Sequence, residues 1–364
     1  MLNYIQNYEI NKLSIGHPDA INLIILLALV VLIILSLRKS STTLLDVSQT
    51  NQGKGLAILL IIIGHLWVHI SNNKPALVWS GGGISLFLIL SGYGLTRSQL
   101  QLSHSVGFEE FFSRRTKRVF YPYWIATAVI LGMDFLLLDR TYSLHDILLT
   151  TIGVNISTTT RHIDYTRWFI TFILFWYIMF FVSTKVGTKR KGLLFLFLVS
   201  IVLLPLDYYL TKLGWYQIFS FWTGCAIGQA RERLTSLTVG RDWMVFAGCS
   251  AGLIVSSVYK IYFDTIFEGS FPYFLVLLIR EGIGVIFSCS LLLGIIFLGK
   301  LGFISKLLSL IGIISYELFL LHGPLLIKYD FIIQNENVVL SFFLYLVVIC
   351  ALSAGLHRVT VALR

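Results

Sequence analysis

A histidine stands where one is costly. Residues 54–67 read KGLAILLIIIGHLW, so His65 follows Lys54 by eleven positions in an otherwise apolar run. At a helical rise of about 1.5 Å per residue the two lie about 16 Å apart along the axis. If Lys54 marks a membrane surface, His65 sits near the middle of a hydrocarbon core about 30 Å thick. Ionisable groups at that depth are rare and point to function. Imidazole is the side chain best suited to general base work near neutral pH. The structural alternatives are interhelical hydrogen bonding for His65 and ordinary snorkelling for Lys54. His69 lies four residues beyond His65, but no third ligand follows at metal-site spacing, so no metal is expected.

Three further segments could carry chemistry. Residues 80–97, SGGGISLFLILSGYGLTR, hold Gly81, Gly82, Gly83, Gly92 and Gly94. Such glycines suit tight helix packing, or a cavity where a substrate approaches the backbone. Residues 111–124, FFSRRTKRVFYPYW, place Arg114, Arg115, Lys117 and Arg118 beside an apolar run. That cluster suits anionic lipid or a polyanionic ligand, whose phosphates match the arginine fork. Residues 315–324, SYELFLLHGP, put Glu317 and His322 on one apolar segment, five positions apart and therefore on different faces. With His65 elsewhere, they suggest a polar interior.

The elements that must position these groups are membrane helices. The chain has 364 residues, of which 56% are hydrophobic and 13% charged, with a mean hydropathy of +0.82. The charged share is about half that of a soluble domain. The net charge of +10 follows from membrane topology rather than from nucleic-acid binding. Cys225, Cys249, Cys289 and Cys350 all fall in apolar runs without CxxC spacing and read as small buried hydrophobes. Eleven candidate spans lie near 20–37, 55–71, 78–96, 119–138, 166–183, 192–206, 215–230, 243–261, 276–298, 307–327 and 338–356. The first, ending at Arg38-Lys39, reads as an uncleaved span rather than a removed signal peptide. The loops 38–54, 97–118, 184–191, 231–242 and 299–306 and the tail 357–364 carry 19 of the 28 Lys and Arg. Because such residues collect on the cytoplasmic side, the N-terminus is expected outside and the C-terminus in the cytoplasm. The expected fold is an all-α polytopic bundle of about eleven transmembrane helices. No internal repeat of Gly/Pro-broken spans suggests an inverted-repeat transporter.

These segments, taken in order, resemble the acyltransferase-3 family of integral membrane acyltransferases. KGLAILLIIIGH is similar to its RG-x-A…H element, GGGISLFLILSGYGL to its G-x-D-x-FF-x-LSG-F element, and FFSRRTKRVFYPYW to its F-x-x-RR-x-x-R-I-x-P-x-YW element. TRWFITFILFWYIMF and ISYELFLLHGP resemble its W-F/Y-L and SY-x-LYL-x-H-x-P elements. Lys54 stands where the family carries arginine, Ser85 where it carries aspartate, and Pro122 is displaced by one residue. Lysine keeps the charge without the bidentate fork. The resemblance divides the chain into residues 1–53, with a span additional to the usual ten; the acyltransferase domain 54–356; and the tail 357–364.

What the resemblance implies is transfer of an acyl group, most often acetyl from acetyl-CoA, to a sugar hydroxyl of an envelope glycan or lipid-linked saccharide in the bacterial cytoplasmic membrane. His65 would be the general base. Lys54, Arg115 and Arg118 would grip acyl-CoA from the cytoplasm, and Ser91, Tyr93, Trp168, Glu317 and His322 are supporting candidates. No esterase-like domain follows, so the membrane part is expected to bind the acceptor. The long external stretch 139–165, read as a loop without evident structure, and its flank offer Arg140, His145, Asp146, Arg161, His162, Asp164 and Arg167 for that purpose. The competing readings are a transporter or flippase of lipid-linked saccharide, which needs alternating access but no CoA grip, and a glycan polymerase.

Overall fold

The computed structural model describes residues 14–41, 43–102, 107–156, 160, 163–206, 217–263, 272–329 and 337–363. Arg161 and His162 lie outside them. Helices dominate: α1 (Pro18–Leu35), α2 (Val47–His65), α3 (Ser80–Gln101), α4 (Phe108–Arg115), α5 (Tyr121–Leu138), α6 (Leu144–Thr151), α7 (Trp168–Ser183), α8 (Lys189–Leu206), α9 (Ile218–Thr238), α10 (Asp242–Val258), α11 (Tyr273–Lys300), α12 (Lys306–Ile313), α13 (Ser315–Ile327) and α14 (Val338–Ala362). Two short strands, β1 (Leu37–Lys39) and β2 (Phe303–Ser305), pair antiparallel.

Helix overlaps each of the eleven apolar runs among the described residues. Among the described residues, seven spans are long and apolar enough to cross a membrane, or eight if α12 and α13, bent by 75°, count as one. The chain is a multi-pass integral membrane protein. The count of eleven is not reproduced by length and composition. The glycines and serines of α3, the Lys189–Lys191 run of α8 and the polar end of α9 dilute those helices. Such helices sit in membranes by packing on neighbours, and α3 packs most extensively on α9 and α2.

Local chemistry sets several helix starts. Asp46 caps α2 by accepting from the Gln49 amide at 2.9 Å, and Ser305 caps α12 through Leu308 at 3.2 Å. The first turn of α9 is capped from a distance, by the buried Glu281 carboxylate on the amides of Gln217 and Phe219. The stretch 139–165 is not a plain loop. It contains α6, whose capping hydroxyl on Ser143 takes the Asp146 amide at 3.1 Å.

Segments expected on one membrane face meet at one end of the bundle. β1 and β2 join 37–39 to 303–305, Arg231 donates to the Leu44 carbonyl (2.9 Å), Arg97 pairs with Glu232 (2.6 Å) and Lys300 with Asp242 (2.7 Å). Segments of the alternate set meet elsewhere: Asp19 accepts from the Ala76 amide (2.8 Å), and Asp134 pairs with Lys328 (2.5 Å) and Tyr142 (2.6 Å).

Helix contact is closest where side chains are absent. A Cβ on Gly55 would lie 2.1 Å from the Leu308 carbonyl oxygen, and one on Gly312 would lie 1.9 Å from that of Asn51. These two glycines let α2 and α12 touch backbone to backbone beside Lys54.

Candidate active site

His65 ends α2. The α-helical ladder gives way there to a π-helical turn over Leu66–Ile70, a geometry frequent at functional sites. Lys54 lies on the third turn of α2 and His65 is its last residue, both within the apolar span Val47–Val68.

His322 on α13 faces it. The ring nitrogens His65 Nδ1 and His322 Nε2 are 2.8 Å apart, and the rings stack at 4.9 Å between centroids and 14° between planes. His322 is fully buried, and its Nδ1 lies 2.8 Å from the Phe319 carbonyl and 3.2 Å from that of Leu318. Carbonyls only accept, so His322 Nδ1 carries the proton. In the neutral pair His322 Nε2 then accepts, His65 Nδ1 donates, and His65 Nε2 keeps the basic lone pair. Tyr345 donates to the His322 carbonyl at 2.7 Å and fixes α14 against this turn.

On the other side of Phe319 is a cavity of about 310 Å³. Lys54, Ser91, Arg115, Arg118, Glu317 and His357 line it, with Phe87, Phe169, Tyr177 and Tyr316. Arg115 lies over the rings of Phe111 (5.2 Å) and Tyr177 (5.8 Å), and its buried Nε makes no hydrogen bond among the described residues. A half-buried guanidinium with an unmet donor suits an anionic oxygen from a ligand. Glu317 Oε1 holds His357 Nδ1 at 2.9 Å. The inner wall is aromatic: Phe87 meets Phe169 at 6.4 Å, Phe169 meets Phe319 at 5.0 Å, and Phe319 meets the His322 ring at 5.5 Å. His65 and His322 are not in the cavity lining; Phe319, which is, links the cavity to the histidine pair.

Residues 49–358 match the acyltransferase domain of the acyltransferase-3 family. The chain belongs to that family. Comparisons with curated proteins and with solved structures give no match. In this acyltransferase α1 and β1 lie outside the matched region. Among its described residues no group of three or more His, Cys, Asp or Glu is arranged to hold a metal.

The acyltransferase does not bring every candidate to the cavity. Tyr93 is buried on another face of α3 and donates to the Leu45 carbonyl at 2.8 Å. Trp168 opens α7, where its ring packs edge-on against Phe169 at 6.2 Å outside the cavity lining. In the stretch 139–165 and its flank, Asp164 and Arg167 are buried rather than offered at a surface. Arg167 Nε meets Asp164 Oδ2 at 3.0 Å, Nη1 meets Thr127 at 2.6 Å, and the guanidinium lies 5.0 Å over Tyr123. Asp146 is buried too, which leaves His145 exposed and Arg140 half-buried.

Two groups were missed in the sequence. His357 had been read as the start of a cytoplasmic tail, and only the fold carries it 40 positions back to Glu317. Asp134 sits in an apolar helix, where an intramembrane carboxylate was itself the signal. Its partners Lys328, Tyr142 and Tyr329 come from distant segments.

Proposed function

We propose that this acyltransferase moves an acyl group, most often acetyl, from cytoplasmic acyl-CoA to a sugar hydroxyl of an envelope glycan or lipid-linked saccharide. The observation that carries the reading is the convergence of Lys54, Arg115 and Arg118 on one cavity whose wall, Phe319, touches the ring of His322 and through it reaches His65. The cationic rim suits the phosphates of CoA. The orientation follows the charge count, with the rim facing the cytoplasm and the N-terminus outside.

His65 Nε2 accepts the proton of the acceptor hydroxyl as that oxygen attacks the thioester carbonyl. The tetrahedral intermediate collapses with cleavage of the carbon–sulfur bond. The leaving thiolate takes the proton from the imidazolium and departs as CoA thiol. Meanwhile His65 Nδ1–H stays hydrogen-bonded to His322, which holds the tautomer and shares the transient positive charge. A carrier or a polymerase of lipid-linked saccharide would use neither a thioester nor this base.

The test is His65→Ala in proteoliposomes supplied with labelled acetyl-CoA and extracted envelope saccharides. General base catalysis is worth about 10²–10⁴-fold, so transfer should fall at least about a hundredfold. Undiminished transfer by the folded variant overturns the role of His65. Absence of any CoA-dependent transfer by the native protein, with unchanged glycan masses in cells lacking it, overturns the function.

A further inference from the structure

We propose that α1, the helix outside the family-matched region, is a working part of the active centre, and that Asn22 on it positions His65 through Trp67. The inference rests on the acyltransferase reading of His65.

α1 is mostly exposed on its apolar faces, as a lipid-facing helix would be, and its polar residues are Asp19 and Asn22. Asn22 is 2% exposed. An amide in such a helix is expensive unless both its ends are met, and here both are. Its Oδ1 accepts from Trp67 Nε1 at 2.8 Å, and its Nδ2 donates to the Leu77 carbonyl at 2.9 Å. One turn away, Asp19 Oδ1 takes the Ala76 amide at 2.8 Å.

These three bonds grip both arms of the segment that follows the catalytic candidate. Trp67 is fully buried, two residues beyond His65, in the π-helical turn. Leu77 and Ala76 belong to the return toward α3. A π-helical turn has weaker self-definition than an α-helix, so the direction of the chain leaving His65 depends on what holds Trp67. Asn22 is therefore a positioning residue. It contributes no atom to the reaction, but it sets the angle at which the His65 ring meets His322. Displacement of a reacting group by about 1 Å can cost about a hundredfold in rate.

The experiment compares the purified full-length protein with Asn22→Leu, a near-isosteric change that removes both amide bonds. Two readouts are taken: steady-state acyl transfer, and carbethoxylation of His65 by diethyl pyrocarbonate, followed by peptide mass spectrometry with exposed His145 as internal control. The expected result is a fall in kcat of about tenfold or more with KM for acyl-CoA held within about twofold. His65 should be modified several-fold faster while His145 stays unchanged. Trp67→Phe, which removes the indole donor and keeps the ring, should reproduce both effects and should not add to Asn22→Leu in the double variant. It also serves as the deciding variant if Asn22→Leu does not fold. Native kcat in the folded variants, or a lowered kcat with native His65 reactivity, overturns the proposal. If the native protein transfers no acyl group, the functional reading falls separately, and the His65 reactivities still decide this one.

Discussion

The contact between His65 and His322 removes a choice of tautomer, and that is its chemical value. The Phe319 carbonyl fixes the proton on His322 Nδ1, so the ring can only accept from His65. Replacing His322 with Ala removes the acceptor that His65 Nδ1–H meets and a partner for its developing charge. The expected outcome is a fall in kcat of about 10–100-fold with little change in KM for the donor, checked by steady-state kinetics. Arg115 should behave oppositely. A charged hydrogen bond to phosphate is worth about 1.5–3 kcal/mol, so Arg115→Ala should raise donor KM by about tenfold or more while kcat is largely kept. Arg115→Lys should recover only part of the loss, because the ammonium lacks the fork.

At the scale of elements, the cavity depends on how closely α2 approaches α12. Gly55 and Gly312 each meet a backbone carbonyl where a Cβ would intrude, at 2.1 and 1.9 Å. Backbone cannot yield as a side chain can. Gly55→Ala should therefore destabilise the protein by about 1–3 kcal/mol and push α12 away from Lys54, with a lower thermal unfolding midpoint in detergent and weaker donor binding. The aromatic wall between cavity and histidines is a second such element. Phe87, Phe169 and Phe319 line the cavity on the side of the histidine pair, where the proposed reaction would bring the donor's acyl end. Phe169→Ala should shift donor preference toward longer acyl chains, measured as the ratio of kcat/KM for butyryl-CoA to that for acetyl-CoA. An unchanged ratio would remove the wall from the account of selectivity.

At the scale of the molecule, loops of each set defined by the charge count contact others of the same set. β1 with β2, Arg97 with Glu232 and Lys300 with Asp242 gather one set of loops, while Asp19 with Ala76 and Asp134 with Lys328 gather the other. The proposed orientation makes the first set cytoplasmic. Single cysteines introduced as Lys39→Cys and Ser236→Cys should react with a membrane-impermeant maleimide only after permeabilisation, whereas Asn73→Cys and Ser143→Cys should react in intact cells. The native cysteines form no disulfide, Cys225 is buried and the other three are half-buried, so background labelling should be low.

Much of this protein was legible in its residues alone. Apolar runs of helical length must fold as helices in lipid, since the backbone has no other way to satisfy itself there, and among the described residues seven or eight helices are long and apolar enough to span. The ordered motifs pointed to the family; of the RRTKR cluster Arg115 and Arg118 line the cavity, while His65 lies outside its lining. Partnerships across long separations were not legible. His65 with His322, Glu317 with His357 and Asn22 with Trp67 join residues 257, 40 and 45 positions apart. Periodicity reports which face of a helix is apolar, not which helix that face will meet. Nor could the sequence show that Tyr93 caps the Leu45 carbonyl, or that Asp164 and Arg167 pair in the interior. Those outcomes depend on helix–helix packing, where backbone approach at a few glycines decides which polar groups come within hydrogen-bonding distance.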